Sequence, residues 1–138
     1  MSKAMQISLK PGERIYVNGA VIRVDRKVTI VLENDASFLL ESHILQPEET
    51  STPLRQLYFV LQSVLIDPPN AERARSLFTK MFVSTLDSFS NRTVIDGLHE
   101  VANLVSVNRI FEALRAIRAL FAVEDAIINP PGAAPQAA

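Results

Sequence analysis

The chain has 138 residues, of which 48% are hydrophobic, so it is long enough to fold around a single core. Its 14 basic and 15 acidic side chains give a net charge of −1, so nucleic-acid binding would need a local basic patch. The absence of cysteine excludes disulfides, thiolate nucleophiles and zinc–thiolate sites. Because the sequence has neither a membrane-spanning run nor a signal-peptide pattern, we expect a cytoplasmic protein that does not bind membranes.

The first 45 residues have the alternating pattern of a small antiparallel sheet. Asn18-Gly19 lies between two β-rich runs and favours a two-residue hairpin turn, because both residues tolerate positive φ. This turn places Val17 opposite Ala20 and Arg14 opposite Arg23. Side chains alternate across a strand, so one face of the hairpin is apolar and is predicted to lie in the core. Its residues are Ile15, Val17, Ala20, Ile22 and Val24.

The opposite face of the hairpin carries Tyr16 and Val21 beside the two paired arginines. Like charges at opposed positions destabilise a strand pair unless an anion lies between them. That anion is either a carboxylate of the same chain or a phosphate of a ligand. The candidate carboxylates are Glu13, Asp25 and Glu33.

Further short β-rich runs complete the predicted sheet. Residues 28–32 follow the turn at 25–27, and we predict that they pair with the preceding strand, with Val24 opposite Val28. This pairing would place Ile30 in the core. Residues 6–9 and 37–40 are predicted to form additional strands of the same meander.

From residue 52 onwards, the apolar residues recur with the spacing of amphipathic helices. Thr52-Pro53 combines an N-cap residue with a proline suited to the first helical position. Pro68-Pro69 is predicted to end this helix, and Asn70 is predicted to cap the next. Two more helices are predicted at about 91–105 and about 107–128. The helical residues predicted to lie in the core are Leu57, Leu61, Phe78, Leu98, Leu114 and Ile117.

A sheet followed by helices predicts an α+β fold. We assign residues 1–46 to the antiparallel sheet region and 47–129 to a bundle of four α-helices. Residues 130–138 contain Pro, Gly, Ala and Gln and are predicted to be a disordered tail.

The sequence contains no arrangement typical of an enzyme. His43 and His99 are its two histidines, and they do not share a helical face that could hold a metal. The four glycines form no phosphate-binding loop, and no nucleophile elbow is present, although Ser, His and Asp all occur in the chain. We therefore predict a protein that is not an enzyme and needs no metal or cofactor.

The order of these segments resembles the FlbT family of small flagellar regulators over about residues 7–128. The resemblance implies post-transcriptional control of flagellin through association with the 5′ untranslated region of flagellin mRNA, with a FlaF-type protein as companion. It leaves open whether regulation is repression or activation. The resemblance rests on Leu9-Lys10-Pro11-Gly12-Glu13-Arg14-Ile15, Val17-Asn18-Gly19-Ala20-Val21-Ile22, Phe38-Leu39-Leu40-Glu41-Ser42-His43-Ile44-Leu45, Thr52-Pro53-Leu54-Arg55-Gln56-Leu57-Tyr58 and Phe111-Glu112-Ala113-Leu114-Arg115-Ala116-Ile117-Arg118-Ala119-Leu120-Phe121, followed by Glu124.

The N-terminal half also resembles the mRNA-binding CsrA family, which shares a Gly-Glu entry to its first hairpin, here Gly12-Glu13, and a last strand leading to an Ile, here Ile44. The resemblance implies a CsrA-like sheet. The RNA-contacting positions of CsrA correspond here to Ile7 and Glu41, and a glutamate repels phosphate, whereas Lys10 keeps a positive charge. Such a sheet also suggests a homodimer or higher oligomer through paired edge strands.

We consider two functions for this chain. The first is an RNA-associated regulator, in which basic side chains of the sheet contact phosphates and Tyr16 stacks against a base. The β-propensity of tyrosine favours the alternative that Tyr16 is a half-buried aromatic of the sheet. The predicted RNA-binding residues are Lys10, Arg14, Tyr16, Arg23, Arg26 and Lys27.

The second function is a protein-interaction adaptor or chaperone-like module. Here the helices would offer an apolar groove to a FlaF-type companion or to flagellin, and any effect on RNA would be indirect. The net charge of −1 favours this hypothesis, whereas the family resemblance favours the first.

Overall fold

The computed structural model describes residues 5–18, 20–34 and 38–129, which form five strands and four α-helices. The order of a small antiparallel sheet region followed by four helices confirms the predicted α+β class. The predicted tail at 130–138 lies outside the described residues. The strands are β1 (Met5–Leu9), β2 (Arg14–Val17), β3 (Ala20–Arg23), β4 (Val28–Leu32) and β5 (Phe38–Leu40). The helices are α1 (Pro53–Ile66), α2 (Ala71–Asp87), α3 (Arg92–Ser106) and α4 (Ile110–Ile128).

The hairpin of β2 and β3 has the predicted register. Val17 pairs with Ala20, and Arg14 pairs with Arg23 at the other end of the ladder. Asn18 adopts a φ of 49°, the left-handed conformation that a tight primed turn requires. The local turn signal therefore determined this pairing correctly.

The predicted pairing of β4 with β3 is wrong, because β4 pairs antiparallel with β1 in a separate two-stranded sheet. The backbone around Val24 explains the difference. Its N–H donates to the carbonyl of Glu13 at 3.2 Å, and its carbonyl accepts from the N–H of Gly12 at 2.7 Å. Val24 therefore extends the β2–β3 ladder instead of facing Val28. Residues 25–27 then carry the chain across to β1.

The second sheet has the order β3-β2-β5 and lies between the β1–β4 sheet and the helices. On one face, Ile15 and Phe38 pack with Ile7 of β1. On the other face, Tyr16 and Leu39 pack against the helical core. Both faces of β2 are thus covered, which the sequence pattern did not indicate.

Ile22 was predicted to lie in the core, and this prediction is wrong. Ile22 pairs with Ile15, yet Ile15 is fully buried and Ile22 is 43% exposed. The reason is that β3 forms the edge of its sheet, outside the region where packing on both faces buries β2. Ala20 is also exposed, whereas Val17 and Ile30 are half-buried against the Ile15 cluster.

The helices begin and end close to the predicted residues, and α1 packs against both α2 and α4. Thr52 caps α1, since its hydroxyl accepts from the N–H of Arg55. Helices α3 and α4 pack closely at Gly97, where a Cβ would lie 2.7 Å from Cδ1 of Leu120. The predicted helical core is confirmed by the burial of Leu57, Leu61, Phe78, Leu98, Leu114 and Ile117.

Two helix starts differ from the prediction. Asn70 precedes α2 but does not cap it with its side chain, which donates instead to Asp67 at 2.8 Å. Helix α4 begins at Ile110 because Asn108 has a φ of 61° and interrupts the helical backbone. The N–H of Arg109 donates back to the carbonyl of Leu104, as in a Schellman motif that ends α3.

Candidate nucleic-acid interface

The structure brings the five predicted cations to one end of the two sheets, on two neighbouring turns. One segment, residues 10–14, contains the turn from β1 to β2 and the first residue of β2. The other, residues 23–27, contains the last residue of β3 and the turn to β4. Two strand pairs bracket these segments: Leu9 with Val28, and Arg14 with Arg23. The two turns therefore lie side by side. We call these two segments the basic turn pair. They carry Lys10, Arg14, Arg23, Arg26 and Lys27, together with the carboxylates of Glu13 and Asp25.

Arg14 has a carboxylate partner that the sequence analysis did not propose. Its guanidinium lies 3.2 Å from Oε2 of Glu41, and its backbone N–H donates to the other carboxylate oxygen at 3.2 Å. This contact follows from the pairing of β2 with β5, because Ile15 faces Leu40 and the next residue along the chain reaches Arg14. The β2–β5 pairing is the signal that would have revealed it.

The other charged groups of the basic turn pair differ in their neighbours. Arg26 pairs with Asp25 at 3.1 Å, and both side chains are exposed to solvent, so this pair contributes little stability. Within the described residues, three cations of the basic turn pair form no ion pair: Lys10, Arg23 and Lys27. The backbone N–H of Lys10 donates to the Glu13 carboxylate at 2.9 Å, which stabilises the first turn and leaves the ammonium group exposed.

Tyr16 differs from these exposed cations because it is half-buried. It lies on the face of β2 that the helices cover and packs in part against the helical core. Its cross-strand neighbour on β5, Leu39, is fully buried. The ring is therefore half-buried in the sheet, and only part of it is accessible for stacking.

A second surface feature lies between the sheets and the last two helices. It is a groove of about 850 Å³ whose lining includes the stacked rings of Phe38 and Phe111, with centroids 4.5 Å apart. Leu32 and Leu104 add apolar walls, and Arg115 adds a positive charge. The groove is thus mixed in character, with aromatic groups in its lining and charges around them.

A buried acidic group joins the two ends of the helical region. Glu124 of α4 is fully buried, and its carboxylate accepts from the backbone N–H of Leu54 at 2.8 Å and from the Thr52 hydroxyl at 2.6 Å. Arg55 lies 3.2 Å from the same carboxylate and also contacts Asp125 at 2.9 Å. A carboxylate at the N-terminus of α1 is favoured by the helix dipole. These contacts satisfy the buried charge, so this cluster has a structural role.

One of the two histidines, His43, is half-buried beside α1. Its carbonyl accepts from the hydroxyl of Tyr58 at 2.5 Å, and Arg118 donates to the same hydroxyl at 2.8 Å. Burial, followed by the nearby charge of Arg118, lowers the pKa of His43. Burial also raises the pKa of Tyr58, an effect that the Arg118 hydrogen bond opposes.

In the part of the chain that the structure describes, no group of three or more His, Asp or Glu side chains could hold a metal ion. None of the described helices has both the length and the apolar character needed to cross a membrane. The recognisable features are thus a small layered α+β domain with an exposed pair of basic turns and an aromatic groove.

Comparison with known proteins identifies the family to which this α+β domain belongs. A family model described as "Flagellar protein FlbT" matches residues 5–128. The chain belongs to the FlbT family, as its sequence resemblance implied. No solved structure matches it, and the CsrA-like character of the sheet stays a prediction.

Curated relatives support this assignment. Proteins from Rhizobium johnstonii and Chelativorans sp. are each 50% identical over 129 residues, which span 94% of this chain and 87% and 89% of the respective relative. A protein from Agrobacterium fabrum is 45% identical over 129 residues, or 94% of this chain and 87% of that relative. All three are named "Probable flagellum biosynthesis repressor protein FlbT".

Proposed function

We propose that this protein regulates flagellin expression after transcription, by associating with the 5′ untranslated region of flagellin mRNA and changing its stability or translation. The names of the relatives support a role in repressing flagellum biosynthesis. The observation that supports an RNA contact is the basic turn pair, where five cations and two carboxylates meet at one end of the sheets.

The three cations without an ion pair in the described region supply the central phosphate contacts in this proposal. Arg23 and Lys27 are exposed on the second turn, and Lys10 is exposed on the first. Each phosphate contact releases condensed counterions, so the binding should weaken as salt increases. Arg14 and Arg26 already face carboxylates of the same chain, and we expect them to contribute less.

Tyr16 has a smaller part in the proposal. Since its ring is half-buried against the helical core, we expect it to support the sheet and to offer at most an edge to a base. Phosphate contacts thus provide most of the affinity, and sequence selectivity must come from elsewhere in the complex.

The test is a double charge reversal, Arg23→Glu with Lys27→Glu, assayed with labelled flagellin leader RNA by fluorescence anisotropy across a salt series. We expect weaker binding and a lower salt dependence, by roughly one unit of slope per lost contact and somewhat less for single strands. The fold should survive, because exposed charges contribute about 1 kcal/mol or less to stability.

A matched control reverses two cations elsewhere. Arg73 and Lys80 are exposed on α2, so Arg73→Glu with Lys80→Glu changes the net charge equally outside the basic turn pair. RNA affinity that falls equally in both double variants would indicate a bulk charge effect. Unchanged affinity in the first variant would contradict the proposed interface.

The groove between the sheets and α3 and α4 favours a second candidate function. Its aromatic lining and apolar walls suit a hydrophobic segment of a FlaF-type companion or of flagellin, with any effect on RNA being indirect. Leu104→Glu should then abolish capture of that partner. Leu77→Glu, on an exposed position of α2, is the control.

A further inference from the structure

The edge strand β3 presents its whole length to solvent. All four of its residues are exposed, including the apolar side chains of Val21 (55%) and Ile22 (43%), which point to opposite faces. Within the described residues, β3 pairs with β2 alone. Natural edge strands usually avoid association through charges, prolines or bulges, and here Arg23 is the single charged residue. The edge is therefore suited to pairing with another strand.

The register shows which backbone groups are free on this edge. In an antiparallel ladder, hydrogen-bonded and non-hydrogen-bonded positions alternate. Val24 is hydrogen-bonded to the β2 side through Glu13 and Gly12, so Ile22 occupies the preceding hydrogen-bonded position, facing β2. The N–H and C=O groups of Val21 and Arg23 consequently point outward, away from β2.

We propose that β3 pairs antiparallel with β3 of a second copy of this chain, across a two-fold axis at Ile22. In this register Val21 of each copy exchanges two hydrogen bonds with Arg23 of the other. All four outward groups of each strand are then satisfied. Ile22 meets its own counterpart at the axis, where the non-hydrogen-bonded position brings side chains closest.

A second copy is the occupant that the geometry favours, because the pairing is self-complementary. A two-fold interface needs the same patch to satisfy itself, and the four-residue edge does so without an unpaired group or an opposed like charge. The two Ile22 side chains, exposed in the single chain, cover one another. Arg23 lies opposite Val21 of the other copy, so the two Arg23 residues are diagonal neighbours and do not face each other directly. This assembly does not depend on RNA binding.

Cysteine crosslinking tests the register directly, because the chain contains no native cysteine. At a non-hydrogen-bonded position the Cα atoms lie about 4.5 Å apart, within the range of a disulfide. Ile22→Cys should therefore form a covalent dimer on mild oxidation. Val21→Cys should not, since its counterpart lies diagonally at about 7–8 Å. Equal crosslinking of both variants, or crosslinking of Val21→Cys alone, would overturn the proposal.

Sedimentation of the unmodified chain and of Val21→Pro tests the strand pairing. Proline removes an outward N–H but no bond of the β2–β3 ladder, so the melting temperature should change little while the dimer dissociation constant rises by about tenfold or more. Ile22→Glu, which opposes two carboxylates at the axis, provides a second disrupting variant if proline perturbs folding. If the unmodified chain sediments as a monomer at high micromolar concentration, the proposal is overturned. The β3 edge would then be available for pairing with a strand of another protein.

Discussion

The helical region and the sheet region contain similar apolar patterns but bury them differently. Along α1, the stripe that includes Leu57 and Leu61 is fully buried. In the hairpin, Ile15 is fully buried, whereas Ile22 directly opposite is half exposed. A helix satisfies its own backbone, so the apolar stripe of α1 indicates which of its side chains are buried. Burial in a strand depends on its neighbours in the sheet, which lie elsewhere in the sequence.

The largest expected effect concerns the helical region. Glu124→Ala removes the carboxylate that accepts hydrogen bonds from the Leu54 N–H and the Thr52 hydroxyl. It also removes the buried ion-pair partner of Arg55. Breaking such a buried pair should lower the free energy of unfolding by about 3–5 kcal/mol in chemical denaturation. The control is Asp125→Ala, which removes an exposed partner of the same arginine and should cost about 1 kcal/mol or less. Similar losses in both variants would contradict the structural role of the buried carboxylate.

An intermediate effect comes from the two opposed isoleucines of the hairpin. Ile15→Ala should lower the free energy of unfolding by about 2–5 kcal/mol, because it opens a cavity between the two sheets. Ile22→Ala should cost about 1 kcal/mol or less, since its side chain is already half exposed. Denaturation at low protein concentration separates this intrinsic effect from any dimer contact. Equal destabilisation would show that β3 is covered as deeply as β2.

The smallest effect is a dependence on pH at the junction of the two regions. His43 has a lowered pKa in the folded protein, so the unfolded chain binds its proton more readily. The free energy of unfolding should be insensitive to this group above its ordinary pKa and should decrease as the pH falls through that value towards the lowered pKa. His43→Gln should flatten this part of the thermal-stability profile. His99→Gln, at an exposed helical position, should leave the profile unchanged.

Much of the fold could be predicted from local signals. Asn18-Gly19 determined the hairpin register, and Thr52-Pro53 marked the start of α1. The pairing of β1 with β4 could not be predicted, because it joins strands 19 or more residues apart and no turn between them sets their register. The edge position of β3 followed from the same non-local pairing, which is why the burial of Ile22 was predicted wrongly.

The candidate interface could be predicted in part. The five cations were identified from sequence because they cluster along the chain, and the strand pairs at Leu9 and Arg14 then bring their turns together. The carboxylate that faces Arg14 was missed, since Glu41 is 27 residues away and reaches it through β5. The cover over Tyr16 was also missed, because it comes from helices that the sheet pattern does not reveal.

The capping of α1 by Glu124 has a consequence for the timing of folding during synthesis. The carboxylate is 72 residues from Thr52, so the first helix leaves the ribosome long before its buried acidic partner. Domains tend to fold as units once their chain has emerged. A nascent chain that ends before α4 would expose the stripe of α1 that α4 covers, together with an unpaired Arg55. We therefore expect the helical region to become resistant to proteases only when the last helix has been synthesised.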